Sequence, residues 1–382
     1  MRVFVANARS ATSLSVIRSL GRKKNEIFAA TESREDCAIY SRYCTKKIFL
    51  KSDGNDADAR VNELLKIIIE NKIDVFLPVL SERILRKLSE RKSEFEKYTR
   101  LPVPELEQFD TFDDKSKTAL LLKSLNIPSP ETYLVNDEQN VQELKETLQY
   151  PVLIKPHRGE GSAGIKIIQK ADQLLGSFQA IKEEFGPCFI QEFVPGTKYA
   201  AVFLANKNSE PVRFFVHKAI REYPITGGPT CFLESVENNA MLEYGSRILK
   251  EINYVGLVNM EFILDEKEGI PRIIDINPRF YGPLQGAVNA GVDFPYELFQ
   301  LSLNRKIEPD LNYPLGKKCR ALLFEDTKHL ISVLRGVKSP KYNIGKFRTL
   351  INYLNFFKDN GYFILSFKDP LPGIVKILKS IF

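Results

Sequence analysis

Apolar and polar positions follow two rhythms along the first hundred residues. RVFVANA (2–8), EIFAATE (26–32), KKIFL (46–50) and IDVFLPV (73–79) are apolar runs of strand length. Between them lie stretches of helical spacing, the clearest being VNELLKIIIENK (61–72). A first helix comes after the polar turn residues Arg9, Ser10, Thr12 and Ser13, runs through Ser19 and Leu20, and is expected to stop at Gly21. Strands spaced by helices predict a parallel sheet with right-handed crossovers. The first turn has no G-x-G-x-x-G pattern, so dinucleotide binding there has little support.

LPVPELEQF (101–109) is a Pro-containing connector and sets an expected domain boundary at 108. DDKSKTALLLKSLNIPSP comes next, with Asp113 or Asp114 as the cap of a helix ending before Pro128. Then come a strand (ETYLV), a helix (VQELKETL), a strand (PVLIKP), a Gly-rich loop, a strand (IKIIQK), a helix (QLLGSFQAIKEEF) and a strand (CFIQEFV). AAVFLA and VRFFVHKAI read as strands, MLEYGSRILKEI as a helix, and residues 258–278 as a hairpin turning at Gly269. The expected class is α/β: a parallel N-terminal sheet over 1–108, an α+β region over 109–310 and a C-terminal region over 311–382.

Composition narrows the function classes. At 382 residues, 43% hydrophobic and 27% charged, the chain suits a folded protein of two to three domains. No apolar run approaches the ~18 residues of a bilayer span, and the N-terminus lacks a signal-peptide pattern, so a cytoplasmic location is expected. Five scattered cysteines predict reduced thiols, and with three dispersed histidines they give no zinc pattern. The net charge of +7 is uneven: residues 301–382 hold 15 Lys+Arg against 6 Asp+Glu, a net of +9. No motif accompanies that charge, so nucleic-acid binding is not expected.

Two segments carry candidate chemistry. In KPHRGEGSAGI (155–165) a strand delivers Lys155 into a loop holding Gly159, Gly161 and Gly164. Glycines let backbone N–H groups approach phosphate oxygens and the lysine adds charge, although a plain hairpin loop reads the same way. In the 258–278 hairpin, Glu261 lies on the first strand, and Asp275 and Asn277 share a face of the second. Three oxygen donors on a strand pair suit Mg²⁺; a solvated polar face is the plainer reading, but NMEFIL and RIIDIN surround these donors with apolar residues. Arg279 comes directly after them.

Taken in order, these segments resemble the ATP-grasp superfamily over roughly residues 1–300, nearest to ATP-dependent carboxylate–amine ligases related to biotin carboxylase and carbamoyl phosphate synthetase. The resemblance implies a Rossmann-like domain preceding a two-lobed α+β ATP-grasp domain with a lid lobe near 130–190. It implies that Lys115 and Lys155 contact phosphates, that the loop through Gly159, Glu160, Gly161, Ser162, Gly164 and Ile165 covers them, and that Gln191, Glu192, Phe193 and Val194 face adenine. Glu261, Asp275 and Asn277 match the Mg²⁺ ligands, two ions being expected with Mn²⁺ as a substitute, and Arg279 matches the arginine at the transferred phosphoryl group. HKAIREYPITGGPTCFLES (217–235) resembles the substrate-side segment, with Arg221 as its cation. Two positions depart from the pattern. Lys198 stands where a ribose-binding Glu is usual, and Asp275 stands where Glu is more usual.

The implied reaction joins a small carboxylate to an amine through an acyl phosphate, with Arg279, Lys155 and Arg221 as catalytic residues. A bicarbonate-phosphorylating carboxylase and a nucleotide-binding module without turnover are the competing readings. Arg221 also has a plainer reading as the partner of a nearby acid, and Cys231 reads as a small buried apolar residue. PGIVKILKSIF (372–382) puts Ile374, Ile377, Leu378 and Ile381 on one helical face. A terminal helix packed on the body is the commoner case for such a stripe, and an interfacial membrane helix the rarer one. A homodimer is the default oligomer.

Overall fold

The computed structural model describes residues 1–159, 161, 163–337, 345–356 and 361–381. Glu160 and Ser162, two of the expected loop contacts, lie outside the described residues.

β1 (Arg2–Ala6), β2 (Glu26–Thr31), β3 (Cys44–Phe49) and β4 (Val75–Pro78) form a parallel sheet in the order β3-β2-β1-β4. One crossover helix, Ala11–Arg22, is capped by Ser10, whose side chain accepts from the Ser13 N–H. That helix runs through Gly21 where a stop was expected. A Cβ at Gly21 would collide with Tyr43, so this glycine serves close packing of the helix. Alternate residues of the strands feed two cores. Phe4, Phe28 and Phe76 pack with Leu64, Ile68 and Leu85. Val3, Val5 and Leu77 belong to the same cluster as Val202, Leu204 and Phe215 from the middle of the molecule. Each such fully buried aliphatic or aromatic side chain contributes ~1.5–3 kcal/mol, so this shared core joins the N-terminal sheet firmly to the rest of the chain.

The expected boundary at 108 falls inside a helix, Leu106–Asp113. Pro102 and Pro104 precede that helix and leave its ladder intact, and the Glu105 N–H donates to Gln108 Oε1 at 3.2 Å. The next helix, Lys115–Ser124, is capped by Asp114, whose carboxylate accepts from the Ser116 and Lys117 N–H groups.

β5 (Thr132–Leu134), β6 (Val152–Pro156), β7 (Lys166–Ile168) and β8 (Cys188–Glu192) make an antiparallel sheet in the order β5-β8-β6-β7. Helix Leu174–Phe185 covers one face, with Leu174, Phe178 and Ile181 on Val152, Ile154 and Ile190.

The largest sheet collects β9 (Gly196–Ala205), β10 (Pro211–Glu222), β11 (Thr230–Ser235), β12 (Gly256–Asp265), β13 (Pro271–Asn277), β14 (Lys318–Arg320) and β15 (Gly361–Tyr362), in the order β13-β12-β9-β10-β11-β14-β15. A Cβ on Gly196 would strike the Leu264 carbonyl, so the chain can enter β9 beside β12 only with glycine there. The basic C-terminal region continues this sheet through β14 and β15. Asp369 also ties it to the N-terminal sheet, accepting from Arg18 Nε, Ser41 Oγ and the Arg42 N–H, each at 2.8 Å. Among the described residues no helix is long and apolar enough to cross a membrane.

Candidate active site

Strand register builds the site. Asp275 pairs with Glu261, Glu261 with Ala200, and Ala200 with His217. Directly opposed residues point to one face of a sheet, so these side chains stand in a row. Two residues along lie Asn277, Asn259 and Val202; two residues the other way on β9 lies Lys198. The intervening positions Met260, Phe262, Ala201, Phe203 and Val216 turn to the opposite face and pack under helix Asn239–Glu251. The alternation that made NMEFIL and RIIDIN look enclosed therefore sorts the chemistry onto one side. A bulge between Glu261 and Phe262 leaves Ile274 as an extra residue, and both Ile274 and Asp275 reach the cavity wall.

This face floors a cavity of about 590 Å³, within the usual range for a small-molecule site. Lys155 from β6 and Lys115 from the capped helix enter from the side, and the Lys115 N–H donates to the His157 carbonyl at 2.9 Å, fixing that helix end to the glycine loop. Gly161 and Gly164 take φ of 61° and 72°, a conformation glycine adopts freely. Leu153, Ile167, Ile263 and Ile274 line an apolar slot whose rim carries Gln191, Glu192, Phe193 and Val194. Gln191 is 5% exposed; its Nε2 donates to Thr132 Oγ1 at 2.9 Å, while its Oε1 has no hydrogen-bond partner among the described residues. A buried unsatisfied acceptor is costly, so this one points to a ligand donor.

Charges are matched in pairs. Lys115 Nζ lies 3.0 Å from Asp275 Oδ1, and Lys198 Nζ lies 2.7 Å from Glu261 Oε2 and 3.9 Å from Glu222 Oε1. Burial works against the charge on both lysines, yet Asp275 beside Lys115 and Glu261 beside Lys198 outweigh it and hold both pKa values up. Lys155 is held by the same carboxylates only at longer range. Burial, aided by Lys115 and Lys198, pushes it down to about 8. Burial also opposes ionisation of Asp275, but Lys115, Lys155 and Arg279 hold its carboxyl below the ordinary range.

Of the residues expected at the site, Lys115, Lys155, Gly159, Gly161, Ile165, Gln191 to Val194, Lys198, Glu261, Asp275, Asn277 and Arg279 all line this cavity. Gly164 sits behind it, where a Cβ would press on Phe185 and Pro156. Arg221 does not line it. Its guanidinium is buried against Asp326, with Nη1 2.7 Å from Oδ1, and lies over the Phe232 ring. The expectation of a substrate cation at Arg221 is therefore corrected: its strand turns it away from the cavity and toward the C-terminal region. Arg279 pairs with Glu82 from the N-terminal domain and donates to Asn277 Oδ1 at 3.3 Å. Lys198 sits on the Glu261 carboxylate, where a ribose role was in question.

The residue pattern missed several cavity groups, among them the Glu222 carboxylate, which is 4% exposed. His217, Asn259 and Tyr281 are 1%, 3% and 2% exposed, and His217 Nδ1, Asn259 Oδ1 and Tyr281 OH have no hydrogen-bond partner among the described residues. Burial drives the His217 pKa down to about 3, so its ring is neutral. Asn259 was detectable, since it stands two residues before Glu261 on the same strand face; Tyr281 arrives from a loop and left no periodic trace.

Divalent metal fits only with help. Among the described residues no three His, Cys, Asp or Glu side chains gather as a metal cluster. Two carboxylates and the Asn277 amide suit Mg²⁺ with phosphate and water completing its shell.

Residues 112–283 match the family model described as an ATP-grasp domain. The chain carries an ATP-grasp domain. Its curated relatives include the C-terminal section of the carbamoyl phosphate synthase large chain of Methanopyrus kandleri, 27% identical over 180 residues, 44% of this chain and 33% of that protein. Another is a carbamoyl-phosphate synthase of Methanobrevibacter smithii, 22% identical over 258 residues, 65% of this chain and 66% of that one. The chain thus spans less than two thirds of the length of these curated relatives. Among solved structures, the Campylobacter jejuni biotin carboxylase–β,γ-ATP complex has the same fold, with a TM-score of 0.71 at 14% identity over 83% of this chain and 74% of that one. N5-carboxyaminoimidazole synthetase of Staphylococcus aureus aligns over 94% of this chain and 97% of its own, with a TM-score of 0.66 and 16% identity. In this ATP-grasp domain the floor is the β13-β12-β9-β10 face, and Leu153, Lys155 and Ile167 of the β5-β8-β6-β7 sheet line the cavity beside it.

Proposed function

We propose that the protein is an ATP-dependent carboxylate–amine ligase working through an acyl phosphate. The observation that carries this reading is the convergence of Lys115, Lys155, Glu261, Asp275, Asn277 and Arg279 on one cavity beneath a glycine loop and beside an apolar slot. The slot takes the adenine, with the Gln191 Oε1 acceptor available to its amino group. Lys115 and Lys155 hold the phosphates, with Gly159 and Gly161 letting the loop backbone close on them. Glu261, Asp275 and Asn277 would hold Mg²⁺, which supplies charge neutralisation along the triphosphate. For that, the carboxylates exchange their present lysine partners for metal, and the lysines turn to phosphate.

The substrate carboxylate approaches Arg279, the cavity arginine, in place of Arg221. A carboxylate oxygen attacks the γ-phosphorus and the bond to ADP breaks. The amine then attacks the acyl carbon, loses one proton and expels phosphate, leaving an amide. His217, Asn259 and Tyr281 offer neutral hydrogen-bonding groups to the substrate, beside the buried Glu222 carboxylate. No side-chain nucleophile is needed, in keeping with Cys231, which is 2% exposed and held well above the ordinary thiol pKa by burial.

Phosphate release with Mg²⁺-ATP across a panel of carboxylates paired with amines tests this. Release that needs both co-substrates supports the ligase. Release driven by bicarbonate alone assigns a carboxylase-type reaction, and nucleotide binding without release under every pairing assigns a binding module.

A further inference from the structure

The distribution of exposed apolar side chains is lopsided. Among the described residues, 22 large hydrophobics are exposed, and 13 of them lie beyond residue 300. Helix Lys346–Leu354 exposes Phe347 (76%), Ile351 (49%) and Leu354 (54%), spaced i, i+4, i+7 on one face. Helix Leu371–Ile381 packs inward through Ile377 but turns Leu371, Ile374 and Leu378 outward, all about half exposed. The terminal stripe, expected to pack on the body, is thus divided between core and solvent. Phe367, just before this helix, is fully exposed. A monomer with no further role rarely shows so much apolar surface in one region.

The two helices belong to one region. Helix Glu325–Leu334 packs beside Lys346–Leu354 through the Thr327–Tyr353 hydroxyl contact of 2.7 Å, and its capping residue Phe324 lies under Lys376 of the terminal helix. The charge of the region says what covers it. Neither KFRTLINYL nor LPGIVKILKSI contains an acid, and each carries two cations, of which Lys379 pairs with Glu35 at 2.9 Å. The whole segment 301–382 bears +9 while the remainder bears −2. Apolar faces flanked by lysine and arginine match an anionic lipid surface, where the rings and aliphatic chains enter the acyl boundary and the cations meet headgroups.

We propose that the C-terminal region, through Phe347, Ile351, Leu354, Phe367, Ile374 and Leu378, seats the protein peripherally on an anionic membrane surface. Since no described helix can span a bilayer, attachment is interfacial. The proposal stands apart from the ligase reading, because none of these side chains lines the cavity.

The test is sedimentation of the full chain with vesicles of phosphatidylcholine alone and of phosphatidylcholine with phosphatidylglycerol. The wild type is expected to pellet with the anionic vesicles and to stay in solution with the neutral ones. F347E/I351E is expected to lose binding, and K346E/R348E to weaken it about thirtyfold or more, with far-ultraviolet circular dichroism unchanged in both. Because loss could reflect misfolding, F367S, at a fully exposed position, serves as the milder variant and should also weaken binding. A wild-type protein that stays in the supernatant with both vesicle types overturns the proposal. So does a dimer on light scattering that F347E/I351E splits, since the face then belongs to a second copy.

Discussion

Two groups of ion pairs lie on either side of the C-terminal end of β10, one beside Glu222 and one at Arg221, and their surroundings differ. At the cavity, Lys115–Asp275 and Lys198–Glu261 are separated by 3.0 and 2.7 Å, with side chains 15–26% exposed. Near the C-terminal region, Arg221 and Arg320 share Asp326 at 2.7 and 3.2 Å, with side chains 0–5% exposed. The distances are alike; the surroundings differ. The arginines have further fixed neighbours, the Phe232 ring between them and the Asn352 and Tyr353 carbonyls beyond. The lysines face open volume and have flexible stems. A sealed, forked guanidinium pair holds parts of a chain together, whereas ammonium groups beside a cavity can change partners.

Removing the shared acid should give the largest effect. Asp326→Ala strips the carboxylate between two buried guanidiniums and should cost about 3–5 kcal/mol of stability, read as a large fall in Tm, while the surviving folded protein keeps its nucleotide affinity. Loss of affinity at unchanged Tm would place Arg221 back at the substrate. Lys155→Met should do the reverse, lowering kcat/KM for ATP by about 10²–10³-fold with little change in Tm. Lys198→Met frees Glu261 from its ammonium partner and should raise Mg²⁺ affinity in the presence of ADP by about tenfold, measured by titration calorimetry; an unchanged value means lysine and metal do not compete.

The weakest effect is one of pH. Lys155 ionises near pH 8 in the folded protein against an ordinary 10.5. The ammonium form holds phosphate, so kcat/KM for ATP should decline as pH rises through about 8. The stability term has the opposite sign: between the two values the unfolded chain binds the extra proton, so this group's contribution to stability rises with pH across that window. A flat alkaline limb would remove Lys155 from nucleotide binding.

Much of the cavity was legible because it is written in local patterns. The period-2 alternation of β12 and β13 placed Glu261, Asp275 and Asn277 together, whereas Lys115 was assigned through the family resemblance alone. Arg221 was not legible: its partner Asp326 lies 105 residues away, and a strand residue beside a bulge can face either side. β14 and β15 are three and two residues long, too short to show a period, so the extension of the sheet into the basic C-terminal region came only from the fold. Lys198 was noticed as a departure, but its pairing with Glu261 depends on the β9–β12 register.

Whether the cation-lined cavity is the nucleotide site is decided by a crystal structure with Mg²⁺ and a non-hydrolysable ATP analogue. The base should lie between Leu153 and Ile274, the phosphates within hydrogen-bond reach of Lys115 and Lys155, and metal on Glu261 and Asp275, with Lys198 displaced from its carboxylate. A nucleotide bound elsewhere, or a cavity in which Lys115–Asp275 and Lys198–Glu261 stay closed under saturating analogue, would refute that assignment.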